Sequence, residues 1–115
     1  MKLTTEIVKK YEGGQLEIQN QNEGYLFRGE IEKAWVEGDS LHVKFKWLAK
    51  MGEDGKWYSD QKLDYSIGLE LASVSDVGDG SIFYRVAIIR EAGTFFPPDG
   101  SKLDPNKVIG LQAVS

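Results

Sequence analysis

Polar and apolar positions alternate most strictly between Tyr25 and Trp47. On the first arm Tyr25, Phe27, Gly29, Ile31, Lys33 and Trp35 share a face. On the second, Leu41, Val43, Phe45 and Trp47 share one, while His42, Lys44 and Lys46 point the other way. A period of two marks a half-buried strand, so residues 23–50 read as one long hairpin, its arms spanning 25–49 and its turn at Glu37-Gly38-Asp39-Ser40. Two registers compete. A two-residue loop on Gly38-Asp39 sets Trp35 opposite His42, an apolar face against a polar one, and a one-residue slip does the same to every pair. A three-residue loop from Glu37 to Asp39 pairs Trp35 with Leu41, Ile31 with Phe45 and Gly29 with Trp47. It also sets Glu32 against Lys44 and Glu30 against Lys46 on the other face, which favours it. In that register the indole of Trp47 covers the bare backbone of Gly29, and Trp35 and Trp47 both belong to the core. Arms of about twelve residues, against the usual ~5–6, predict a bent, strongly twisted hairpin.

The remaining pattern supplies shorter elements. Residues 3–11 place Leu3, Ile7, Val8 and Tyr11 on one helical face, with Thr4 or Thr5 to cap the start and Gly13-Gly14 to end it. So short a helix needs an apolar surface to dock on. Gln15–Gln19 alternates as a strand, Asn20–Gly24 is turn chemistry, and Met51–Lys56 is a glycine-punctuated loop before a strand opening at Trp57. Leu63–Ala72 alternates cleanly, Ser75–Gly80 reads as a turn, and Ser81–Arg90 is apolar on both faces and so calls for cover on both. Residues 93–107 hold all three prolines and are expected as a long loop, not a central strand. Val108–Val114 closes the chain as an edge strand. The expected fold is all-β: a single domain over 1–115, five to six mainly antiparallel strands in a small barrel or rolled sheet, with a short N-terminal helix.

Composition narrows the functional classes. With 41% hydrophobic and 28% charged residues, the 115-residue chain is of globular type, and at this size it buries roughly 60–70% of its unfolded surface. The absence of cysteine excludes disulfides and thiolate zinc sites and fits a reducing compartment. No apolar run resembles a signal peptide or a membrane span, so a cytoplasmic location is expected, without membrane contact. The net charge of −4 lacks the basic footprint of nucleic-acid binding, and Lys44 and Lys46 already face glutamates.

Catalytic patterns are sparse. The single histidine, His42, falls on the polar hairpin face opposite Ala34 in the favoured register, with no orienting partner for acid–base work. Asp76-Val77-Gly78-Asp79-Gly80 and Asp99-Gly100-Ser101 lack calcium-loop spacing and read as turns. No nucleophile elbow or phosphate-cradling glycine motif occurs, so no cofactor or metal is expected. Aromatic residues in loops remain: Trp57-Tyr58 beside a glycine loop, and Phe95-Phe96-Pro97-Pro98 in the longest one. Rigid aromatics are enriched at binding hot spots, although the same residues could instead plug the ends of a barrel. The expectation is a non-catalytic module that binds a protein or peptide through these six residues, or pairs with a second copy at an open strand edge. The alternatives are a small-molecule or carbohydrate-binding barrel, with its ligand among Tyr65, Tyr84 and the tryptophans, and a hydrolase using carboxylates alone.

Overall fold

A computed structural model describes residues 4–20, 24–68, 72–76, 82–86 and 91–111. It is strand-rich and all-β, built on one sheet with a single short α-helix among the described residues. Helix α1, Thr5–Lys9, is capped by the Thr4 hydroxyl, which accepts from the Ile7 amide at 3.3 Å. Leu3, assigned to its apolar face, lies outside the described residues. Val8 and Tyr11 are buried and Ile7 packs against the same cluster, so the helix docks as its marginal length requires.

The strands are β1 (Gln15–Asn20), β2 (Tyr25–Glu37), β3 (Ser40–Met51), β4 (Trp57–Asp60), β5 (Asp64–Gly68), β6 (Ala72–Asp76), β7 (Ile82–Val86), β8 (Glu91–Phe96) and β9 (Val108–Ile109). They run in the order β6-β7-β8-β1-β2-β3-β4-β9, with β5 beside β4 on the same edge of β3. All pairs are antiparallel except β4–β9. β6 and β9 stand at opposite ends of that order, so the sheet is open and not the closed barrel that was one expectation. The expected five to six strands become nine segments because the Leu63–Ala72 run contributes β5 and the start of β6, and because 93–96 is a strand.

The long hairpin forms, but in the register that the sequence disfavours. Glu37 pairs with Ser40 across a two-residue loop, Gly38-Asp39, and Trp35 stands opposite His42. Gly38 takes φ 60, as the primed hairpin turns require of their first loop residue. Two bulges reconcile this with the alternation. Lys46 is extra on β3 between the pairs Glu30–Trp47 and Ile31–Phe45, and Glu32 is extra on β2 before Lys33–Lys44. Each bulge swaps the faces of everything beyond it. Towards the turn, Ala34 and Val36 therefore turn to the core and Trp35 turns out, 37% exposed. Towards the other end, Leu48 joins the core, while Trp47 and Ala49 are buried in a second cluster on the opposite face. The expectation that Trp35 is a core residue fails for this reason. Glu32 and Glu30 nonetheless reach Lys44 and Lys46, each at 3.8 Å. Gly29 is covered by the Phe45 ring and Leu48, not by the Trp47 indole.

Residues 93–96 correct the loop expected over 93–107. They end β8, a central strand paired with β1 on one side and β7 on the other. The prolines begin immediately afterwards, at Pro97, so no ladder amide is lost to them. Ser75 and Asp76, read as turn, end β6; residues 77–81, 87–90 and 112–115 lie outside the described residues, as does 69–71. Chain 97–107 then crosses to β4, where Val108–Ile109 adds the expected edge strand. Above β1, the free edge of β2 is occupied by the segment around α1. Gly13 donates to Ile31 and Ile31 to Gly14 at 2.8 and 2.9 Å, and Ala34 and Val36 amides donate to the Glu12 carboxylate and Thr5 hydroxyl. An edge so filled is closed to strand addition. Among the described residues no helix is long and apolar enough to cross a membrane.

Candidate functional site

One cross-strand row leads from the core to solvent. Ile18 pairs with Phe27, Phe27 with Lys50, Lys50 with Tyr58 and Tyr58 with Ile109. Residues opposite one another in a ladder share a face, so these five side chains lie along the core face. Ile18 and Phe27 are 0% and 4% exposed, whereas Tyr58 and Ile109 reach 38% and 47%. The core face thus continues past the last covered strand and becomes surface.

Tyr58 is held flat there. A Cβ on Gly52 would lie 2.7 Å from its ring, so the ring rests on bare glycine backbone. Its hydroxyl donates to the Asp54 carboxylate, whose other oxygen accepts the Lys56 amide at 3.0 Å. Those two bonds hold Asp54 below the usual carboxylate range, the Tyr58 bond first, and the same bond raises the phenol above its ordinary value. On the other side Tyr25 stacks on Phe27 with centroids 5.4 Å apart, and Phe27 meets Tyr65 at 4.8 Å. Tyr65 lies on β5, which pairs with the first half of β3, while β4 pairs with its second half beyond the Lys46 bulge.

Between these walls lies an open cleft of about 580 Å³, lined by Gly24, Tyr25, Lys50, Met51, Gly52, Glu53 and Tyr58. A smaller space of about 210 Å³ adjoins it, bounded by Tyr25, Phe27, Lys50 and Tyr65. Tyr25 and Lys50 border both. The Lys50 ammonium lies 6.0 Å from the Tyr25 ring centroid, and Lys62 lies 4.6 Å from that of Tyr65, both within cation–π range.

Of the six residues singled out in the sequence, only Tyr58 lines this cleft. Trp57, its neighbour, points to the opposite face and packs with Trp47, Ala49 and Val108. Phe95 is fully buried, its ring 5.2 Å from Tyr11, and has no surface to offer. Phe96 is half-buried beneath the Arg28 guanidinium, 4.1 Å from its ring centroid. Pro97 begins a tight turn in which the Gly100 amide donates to its carbonyl at 2.9 Å, and Pro98 is exposed. Three strands, β1 to β3, separate β8 from β4, so the two aromatic groups do not form one platform.

The Phe96 side is organised as a clasp. Gln15, 1% exposed, accepts from the Arg28 side chain and from the Leu103 amide, both at 2.8 Å, and donates to the Leu103 carbonyl at 3.0 Å. Arg28 also donates to the Ser101 carbonyl at 2.9 Å and pairs with Glu17 at 3.4 Å. Burial lowers the Arg28 pKa, with Glu17 opposing the shift. This network fastens the chain beyond Pro98 across the sheet and leaves its aromatic ring occupied. His42, expected beside Ala34, instead stacks on Trp35 with centroids 5.3 Å apart and lies 3.6 Å from Glu37.

The sequence reading did not single out Tyr25, Phe27 or Lys50 as site residues. Their signal was the lysine that closes the β3 alternation, directly opposite an inward aromatic. No protein-family model, curated protein or solved structure matches this chain.

Proposed function

We propose that the chain is a non-catalytic binding module that holds a peptide or protein segment on the exposed continuation of its core face, between Tyr25 and Tyr58. The carrying observation is the row Ile18–Phe27–Lys50–Tyr58–Ile109, whose inner members Ile18 and Phe27 are buried while its outer members Tyr58 and Ile109 are exposed. Its cleft of about 580 Å³ falls in the ~300–1,000 Å³ range of ligand sites. A ring already immobilised, as Tyr58 is by Gly52 and Asp54, loses little entropy on binding. A small molecule or carbohydrate is the second reading, and the cleft volume favours it equally. The open sheet is read as rolled, since bending at the Lys46 bulge brings Tyr65 over Phe27. Among the described residues, β5, β6 and β9 each pair on one side only and are the edges at which a second copy could add, and the cysteine-free sequence favours the cytoplasm.

The test is amide-resolved NMR of the labelled chain titrated with short peptide mixtures and, separately, with oligosaccharides. Peptide-induced shifts centred on Tyr25, Lys50 and Tyr58 are expected. Shifts confined to Phe96 and Asp99, the amides flanking the two prolines, would return the site to the proline turn, shifts with oligosaccharides alone would select the second reading, and no shifts with either would remove both.

A further inference from the structure

The charges around the cleft define the segment it takes. Among the described residues the ion-paired cations are Arg28, Lys44 and Lys46, with His42 beside Glu37. Lys50 and Lys62 have no described carboxylate partner, yet each faces a tyrosine ring bordering the smaller space. That space, about 210 Å³, exceeds the ~150 Å³ that suffices for benzene in an apolar cavity. Its walls are Tyr25, Phe27 and Tyr65, so what fits is one flat ring, and what the rim attracts is an anion.

Resting on the peptide reading of this site, we propose that the bound segment is acidic and aromatic. A phenylalanine, tyrosine or tryptophan ring lies in the open space bordered by Tyr25, Phe27, Lys50 and Tyr65, and flanking aspartate or glutamate side chains meet Lys50 and Lys62. The chain's overall charge of −4 opposes an acidic partner at long range. At physiological salt, however, fields are screened beyond about 8 Å, so the acidic flank meets Lys50 and Lys62 directly, against the local carboxylates of Asp54 at Tyr58 and Asp60 at the Lys62 amide. Glu53, on the wider part of the cleft, marks the side away from which the acidic flank would run.

The experiment titrates the whole chain with three short, end-blocked peptides: phenylalanine flanked by glutamates, phenylalanine flanked by lysines, and alanine flanked by glutamates. The first is expected to bind tightest, with amide shifts at Phe27, Lys50 and Tyr65, and to weaken as salt rises. Lys50 is exposed, so Lys50→Glu folds. It is expected to weaken the acidic peptide by about threefold or more, the scale of one exposed charge pair, and to strengthen the lysine-flanked one. Equal binding of the lysine-flanked peptide by the unsubstituted chain would overturn the charge assignment and leave the cleft reading standing. Equal binding of the alanine peptide would overturn the ring. No peptide shift at the cleft would overturn this inference and the peptide reading together.

Discussion

Gly29→Ala tests the hairpin geometry through the sign of its effect. Replacing glycine by alanine in a strand normally stabilises by about 0.4–1 kcal/mol, because the unfolded chain loses freedom. Gly29 does not have positive φ, so backbone conformation gives no reason for a loss. Packing does. A Cβ there would lie 2.5 Å from the Trp47 carbonyl oxygen, 2.7 Å from Phe45 Cδ1 and 2.8 Å from Leu48 Cδ1. The first is backbone and cannot rotate away, and Phe45 and Leu48 are buried side chains, 1% and 0% exposed, that cannot swing into solvent. Overpacking of this kind costs about 1–3 kcal/mol, so after the entropic gain the expected net loss is about 1–2 kcal/mol. For a domain of this size that lowers Tm by roughly 4–8 °C. Urea unfolding followed by tryptophan fluorescence should show a lower midpoint with an unchanged slope. An equal or higher midpoint would refute the close approach of β2 and β3 at the bulges.

Two further outcomes follow from the polar contacts. Gln15→Ala strands the Leu103 amide and carbonyl and removes an acceptor from Arg28. A loss of about 1–3 kcal/mol is expected, with faster hydrogen exchange at the 101–109 amides. Unchanged exchange there would show that the clasp does not fasten the crossing chain. The Tyr58 phenol should titrate above its ordinary value when followed by ring-carbon NMR, and Asp54→Ala should bring it back toward that value. The signs bracket neutrality. The raised phenol stabilises below its unfolded pKa and loses that contribution as pH rises through its folded value. The depressed Asp54 carboxylate contributes above its unfolded pKa and loses it as pH falls through its folded value. An unshifted Tyr58 titration would mean that the ring is not pinned.

The parts of this molecule that were legible in the sequence are those where one local rule acted alone. The capped helix, the short strand before the hairpin and the alternation of Leu63, Tyr65 and Ile67 each follow a single period, and the two hairpin arms were legible as strands though not in their register. The register was misread because two compensating bulges, at Glu32 and Lys46, preserve the charge pairs Glu30–Lys46 and Glu32–Lys44 under either alignment. The charges therefore could not discriminate. The apolar run Trp47-Leu48-Ala49 could have, since three consecutive buried residues fit no half-exposed strand. The prolines misled in the opposite way. Pro97 and Pro98 forbid a ladder only from their own positions onward, yet their weight was spread back over Gly93–Phe96, and a central strand became a loop with two available rings. Once that strand is restored, Phe95 is core and Phe96 belongs to Arg28. Among the described residues, the core face then becomes surface at its far end, where Lys50 sits among tyrosines. A lysine placed opposite a buried aromatic covers apolar surface with its stem and keeps its ammonium wet. Whether it also receives a partner is decided by the same few atoms, which is why reversal of the Lys50 charge is the substitution that separates a covering role from a receiving one.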